Sequence, residues 1–196
     1  MRTELELIRH GEPVGGRAYR GHGVDDPLSE WGWAQMRARV SEHEQSPWHA
    51  VVTSPLKRCR DFAEEVAGRF DLPLIVEERL KEVGFGRWEG CTHDEVRSRW
   101  PEEWAAFHED PVRHRPEGAE DLHAFIGRVA EALEERVRIH RGERVLVVCH
   151  AGVIRAALVH ALQAPPAAMY RIRVRNAGIT RLWHEDDRWQ VTAINA

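Results

Sequence analysis

Short apolar runs alternate along the chain with longer stretches that carry apolar residues at helical spacing. Leu5, Leu7 and Ile8 predict a strand over Glu4–Ile8. Ser29 is a good N-cap, and Trp33, Met36 and Val40 give the segment behind it one apolar side. Ala50–Thr53 predicts a second strand. Pro55 stands where a helix favours its first residue, and Cys59, Phe62, Ala63, Val66 and Phe70 form that helix's buried stripe. Leu74–Val76 predicts a third strand, followed by a glycine-punctuated loop over Leu80–Gly90. Thr92 and Glu95 have the spacing of a capping box for a short helix through Val96 and Trp100. The segment Pro101–Gly118 reads as irregular, with a short helix near Trp104–Phe107. Leu122, Phe125, Ile126, Val129, Leu133 and Val137 lie on one helical face, and Gly142 marks its end. Val145–Cys149 is apolar on both faces, as a central parallel strand requires. A helix over Val153–Leu162 follows, then strands over Tyr170–Val174, Gly178–Trp183 and Trp189–Ile194, the last two joined by a turn at His184–Arg188.

This alternation predicts an α/β fold, a three-layer α/β/α sandwich around a largely parallel sheet, with residues 1–196 as a single domain. Composition narrows the function. The 196 residues carry a formal net charge of -4, so no global basic field draws nucleic acid or anionic lipid. Anions must be handled by local arginines. The 3 cysteines, Cys59, Cys91 and Cys149, are too scattered for a disulfide framework or a metal knuckle. Reduced thiols in a cytoplasmic setting are expected, with no signal segment, membrane span, metal or other cofactor. The remaining histidines are dispersed without metal-ligand spacing.

Two strands end alike: ELELI runs into Arg9-His10-Gly11-Glu12, and RVLVVC into His150-Ala151-Gly152. In open α/β sheets the ligand crevice lies beyond the carboxyl ends of the strands. A third strand, AVVT, ends in Ser54-Pro55-Leu56-Lys57-Arg58 and adds cations at the same edge. The expectation is an anion pocket with two imidazoles, Arg9 and Arg58, and with Gly11 and Gly152 exposing backbone to a ligand. Guanidinium forks suit a phosphoryl group. A neutral imidazole can take that group covalently, a protonated one can stabilise its oxygens, and no metal is needed.

In order, LIRHGEP, TSPLKRCRDFAE, LKEVGFGRWEG, PEGAEDLHAF and VVCHAGVIR resemble the five motifs of the histidine phosphatase, or phosphoglycerate mutase-like, superfamily. The likeness covers essentially the whole chain. Within it, RHGEP, GHGVDDPLSEWGWAQM, FGRWEG and the closing ITRLW…W…IN are similar to the α-ribazole phosphatase group of cobalamin biosynthesis. The resemblance implies that His10 is the nucleophile, Arg9 and Arg58 clamp the phosphate, and His150 faces His10 across it. It also implies that Glu82 donates a proton to the leaving alkoxide, which would depart poorly unaided. Family members often place an asparagine six residues after the histidine. Here that position is Gly16, and the neighbouring Arg17 is expected to take over the contact.

The function expected from the sequence is hydrolysis of a small-molecule phosphate monoester, α-ribazole 5′-phosphate first, with no nucleic-acid or membrane partner. Homodimerisation is left open. The alternatives are a broad-specificity sugar-phosphate or nucleotide phosphatase, a phosphoglycerate mutase, and a non-catalytic phosphate binder. Glu120 reads either as a site carboxylate or as a helix N-terminal residue. Glu12 reads as a turn acceptor for Arg9, His22 and Cys149 as surface and packing residues, and the tryptophans as core or lid residues, with some able to stack on an aromatic leaving group. The alternating Arg171, Arg173 and Arg175 read as a solvated strand edge.

Overall fold

A computed structural model describes residues 1–41 and 43–196. Its strands are β1 (Thr3–Arg9), β2 (Ala50–Thr53), β3 (Leu74–Val76), β4 (Arg144–Cys149), β5 (Ile179–Glu185) and β6 (Arg188–Ala193). Its helices are α1 (Glu30–Ala38), α2 (Lys57–Phe70), α3 (His93–Arg99), α4 (Pro101–Glu109), α5 (Leu122–Ile139) and α6 (Ala151–Leu162). The sheet order is β3-β2-β4-β1-β5-β6. The first four strands in that order run parallel, and β5 and β6 are antiparallel.

Alternation along the central strands divides the core. Leu5, Leu7, Val145 and Val147 pack with α5 and α6, whereas Ile8, Leu146 and Val148 pack with α1 and α2. This is the expected α/β/α sandwich. A third cluster, Tyr19, Trp88, Cys91, Val96 and Phe107, lies outside both layers and joins α3 and α4 to the loops above the sheet. Among the described residues no helix is long and apolar enough to cross a membrane.

Four expectations need correction. Pro55 is not the first helical residue. The N-cap of α2 is Leu56, and the Lys57 N–H is capped from another loop by Asp25 Oδ1 at 2.7 Å. The segment after Trp100 is more regular than its prolines and charges suggest, because Pro101 opens α4 at a position that tolerates proline. The last hairpin closes on two residues, Asp186 and Asp187, both at positive φ, so its strands reach further than the sequence indicated. The predicted strand over Tyr170–Val174 does not form. A 3₁₀ turn occupies Pro166–Arg171, and the chain beyond it is bonded to side chains instead of a neighbouring strand. Arg155 Nε donates to the Ile172 carbonyl (2.8 Å), Arg9 Nη1 to Val174 (2.7 Å) and Asn195 Nδ2 to Arg173 (2.7 Å).

One packing contact fixes where β1 delivers its last residues. The Cβ-less atoms of Gly11 and Gly32 let the start of α1 lie directly on the turn after β1: a Cβ on Gly11 would overlap the Gly32 carbonyl, and one on Gly32 the Glu12 carbonyl. Ser29 locks the contact, its hydroxyl accepting from the Gly32 N–H (3.0 Å) and donating to the Glu12 carbonyl (3.1 Å). Gly32→Ala is therefore expected to cost about 1–3 kcal/mol of stability through overpacking, read as a lower urea midpoint. An unchanged midpoint would show that the contact can open without cost.

Candidate active site

The carboxyl ends of β2, β4 and β1 lie side by side and present Ser54, His150 and His10 in that order. Backbone bonds set the alignment: Ser54 N–H donates to the Val148 carbonyl and His10 N–H to the Cys149 carbonyl, both at 3.0 Å. The two imidazoles touch edge to face, with ring centroids 5.2 Å apart. His10 is 6% exposed and His150 fully buried. The structure thus brings both histidines together, but with the rings in direct contact.

His10 Nδ1 lies 2.7 Å from the Gly11 carbonyl oxygen. A carbonyl can only accept, so Nδ1 carries the proton and Nε2 keeps its lone pair. Burial, reinforced by Arg58 and Arg9, pushes His10 well below the usual imidazole range, and the Gly11 bond opposes this only in part. His150 is likewise pushed well down, by burial first and then by Arg58, His10 and Arg9. Its Nε2 pairs with Ser54 Oγ at 2.7 Å, and the Cys59 thiol lies 3.6–3.7 Å from both ring nitrogens. Burial and the neighbouring cations thus disfavour the protonated imidazole that could stabilise the phosphoryl oxygens. Cys149 and Cys59 are buried thiols raised by desolvation, which suits packing and not nucleophilic chemistry.

Arg9 and Arg58 flank His10. Arg58 donates to the carbonyls of Gly21 (2.8 Å) and Val24 (3.0 Å), and Arg9 to that of Val174. The Nε of each is buried without a hydrogen-bond partner. Arg9 is pulled down to about 10, by burial first and by the crowding of Arg155, Arg17 and Arg58, while Glu82 opposes the shift. These groups open into a cavity of about 960 Å³.

Glu82 lines that cavity. Its carboxylate accepts from the N–H groups of Val83 (3.0 Å) and Gly152 (3.2 Å), which places it at the amino end of α6. Gly152 serves this contact, because a Cβ there would overlap the carboxylate. Neither Gly152 nor Gly11 is among the residues that line the cavity, and each admits a neighbour in the folded chain, Glu82 at Gly152 and α1 at Gly11. Arg17 also lines the cavity.

Glu120 is neither of the things its sequence context suggested. It pairs with Arg128 (Oε1–Nε 2.7 Å, Oε2–Nη2 2.9 Å) and accepts from the Gly84 N–H (3.1 Å). Arg128 in turn donates to the carbonyls of Lys81 (2.8 Å) and Glu82 (3.2 Å), and His22 Nδ1 donates to the same Glu82 carbonyl (3.1 Å). Glu120, Arg128 and His22 thus hold the loop that carries Glu82. Glu12 lines the cavity without a hydrogen bond to Arg9.

Several lining residues escaped the sequence reading. Arg20 is 8% exposed, pairs with Asp26 at 2.8 Å, and pins the Gly15-Gly16 loop through the carbonyls of Gly16 (2.8 Å) and Val14 (2.6 Å). Arg155 and the Arg171, Arg173 and Arg175 series line the cavity too, so the presumed solvated edge is a wall of the site. None of the eight tryptophans does; the aromatic lining is Tyr19, Phe85, Tyr170 and His93. Among the described residues, no cluster of His, Cys, Asp or Glu is placed to hold a metal ion.

The chain's relatives share one family and differ in what they are named for. Residues 5–196 match the model of the histidine phosphatase superfamily, branch 1. Phosphoserine phosphatase 1 of Hydrogenobacter thermophilus is 30% identical over 98% of this chain and 92% of its own. The adenosylcobalamin/α-ribazole phosphatase of Salmonella typhimurium is also 30% identical, over 87% of this chain and 85% of its own. A mycobacterial glucosyl-3-phosphoglycerate phosphatase superposes with a TM-score of 0.85 at 26% identity, covering 100% of both chains. With fold, motif order and near full-length relatives in agreement, the chain belongs to the histidine phosphatase superfamily.

Proposed function

We propose that this phosphatase works by double displacement at His10. The observation that carries the reading is the pairing of an unprotonated His10 Nε2 with Arg9, half-buried, and Arg58, buried, whose Nε atoms are both buried and lack partners. Arg9 and Arg58 hold the phosphoryl oxygens and neutralise charge as it develops. Nε2 attacks phosphorus, the bond to the leaving oxygen breaks, and Glu82 supplies the proton that the alkoxide needs. Water then attacks phosphorus, the N–P bond breaks, and the proton returns to Glu82. His150, neutral and tied to Ser54, backs the His10 ring and limits its rotation. The positive charge at the oxygens then comes from the arginines, which keep it at any working pH.

A second reading concerns the substrate. Tyr19, Phe85 and Tyr170 form one wall of the cavity, a surface on which the aromatic base of α-ribazole 5′-phosphate would stack. The Salmonella relative supports this choice, and the phosphoserine phosphatase supports a small phosphorylated acid instead.

Two outcomes test the chemistry. His10→Ala is expected to lower turnover of an aryl phosphate, assayed with a metal chelator present, by about three orders of magnitude or more while the circular dichroism spectrum is retained. Retained turnover would remove His10 from the nucleophile's role. The second outcome is a pH dependence of stability. Both imidazoles are held below their unfolded value of roughly 6.5, so on acidification the unfolded chain takes up protons that the folded site refuses. The urea midpoint should therefore fall as pH drops below about 6.5, and fall less steeply in His10→Ala. Equal slopes in the two proteins would contradict a neutral His10.

A further inference from the structure

The cavity holds more positive charge than one phosphate monoester can use. Four of its arginines are built into the protein: Arg9, Arg20, Arg58 and Arg155 each donate to backbone carbonyls around the site. The other four, Arg17, Arg171, Arg173 and Arg175, are exposed. Among the described residues their guanidiniums have no hydrogen bond or salt bridge. Glu12 and Glu82 are the acidic residues that line the same space. The excess is local, because the whole chain carries a net charge of -4.

These exposed arginines are not on a loose strap. The segment that carries three of them is tied at alternate carbonyls to the phosphate side of the site, through Arg155 at Ile172 and Arg9 at Val174. On its outer side Asn195 grips both the Arg173 carbonyl and the Arg175 N–H, each at 2.7 Å. Val174 is buried, and Asn176 Nδ2 donates to the His10 carbonyl at 3.3 Å. The backbone between positions 171 and 176 is therefore fixed relative to His10. Its arginines line the same cavity as His10 on a segment held against the carboxyl end of β1, and so form a preorganised second position for negative charge.

We infer that Arg171, Arg173 and Arg175, with Arg17 lining the same cavity, form a second anion subsite, and that the substrate is a phosphate monoester whose leaving group bears its own carboxylate or phosphate. The inference rests on the phosphomonoesterase reading above and, of the two substrates considered there, takes the small phosphorylated acid over α-ribazole 5′-phosphate. Four like charges facing one cavity repel one another, and an anionic tail relieves that repulsion where a neutral alcohol does not. A charge-assisted contact to a guanidinium gives such a tail both affinity and orientation.

The test compares kcat/KM for 3-phosphoglycerate and O-phosphoserine with that for 4-nitrophenyl phosphate, which has no anionic tail, in the wild type and in Arg171→Gln/Arg173→Gln/Arg175→Gln. The ratio of acidic-tail to neutral-tail kcat/KM is expected to fall about tenfold or more in the variant, at constant ionic strength. If both substrates lose activity by the same factor, the arginines only steer anions toward the cavity and the subsite is overturned. A wild type that works better on α-ribazole 5′-phosphate than on either acid overturns it as well. Failure of the parent reading looks different: His10→Ala would then retain turnover of every substrate, with the ratio untouched.

Discussion

The hydrogen bond from His10 Nδ1 to the carbonyl of Gly11 decides the chemistry of this molecule. A carbonyl has no proton to offer, so the bond fixes the tautomer and directs a lone pair out through Nε2. The bond in turn depends on the backbone turn at Gly11, and that turn depends on α1. With any side chain at Gly11 or Gly32, helix and turn would separate, and the carbonyl that orients His10 would move with them. The nucleophile is thus set by packing two elements away from it.

The same economy governs charge. Burial lowers the proton affinity of Arg9, and the crowded guanidiniums around it lower it further. Backbone carbonyls of the Gly16–Val24 loop and the 172–174 segment supply the offset without adding formal negative charge. The cations are held in place, and those lining the cavity outnumber its carboxylates among the described residues, so a net positive field remains to draw a phosphate. Carboxylates are kept one step back. Glu120 spends its charge on Arg128, which grips the Glu82 loop from behind, and Asp26 spends its charge on Arg20. Among the described residues only Glu82 and Glu12 are acidic and reach the cavity, and Glu82 is held by two backbone N–H groups.

Where the sequence was informative, the reason was local. The strand ends at His10 and His150 could be seen because apolar runs stop abruptly at each, and β4 was plain because it is buried on both faces. The capping box at Thr92 and Glu95 forms as its spacing indicates. What could not be read depends on partners distant along the chain. Tyr170–Val174 has the alternation of a strand, but its carbonyls are claimed by Arg9 and Arg155, and no periodicity reports that. Arg171, Arg173 and Arg175 therefore looked like a solvated edge. Arg20 was hidden by the more conspicuous Arg17, although its contacts to Val14, Gly16 and Asp26 hold the loop that departs from the family pattern. The packing roles of Gly11 and Gly152 could not be read, because their close contacts with the Gly32 backbone and the Glu82 carboxylate exist only once the segments are assembled.

The central claim is that phosphorus is bonded to His10 during turnover. The most direct measurement is rapid alkaline quenching of the enzyme at steady state, which preserves phosphohistidine, followed by mass-spectrometric location of the phosphoryl group. The account predicts one phosphoryl group per chain, on Nε2 of His10. A phosphoryl group on Nδ1, on another side chain, or on none would contradict it.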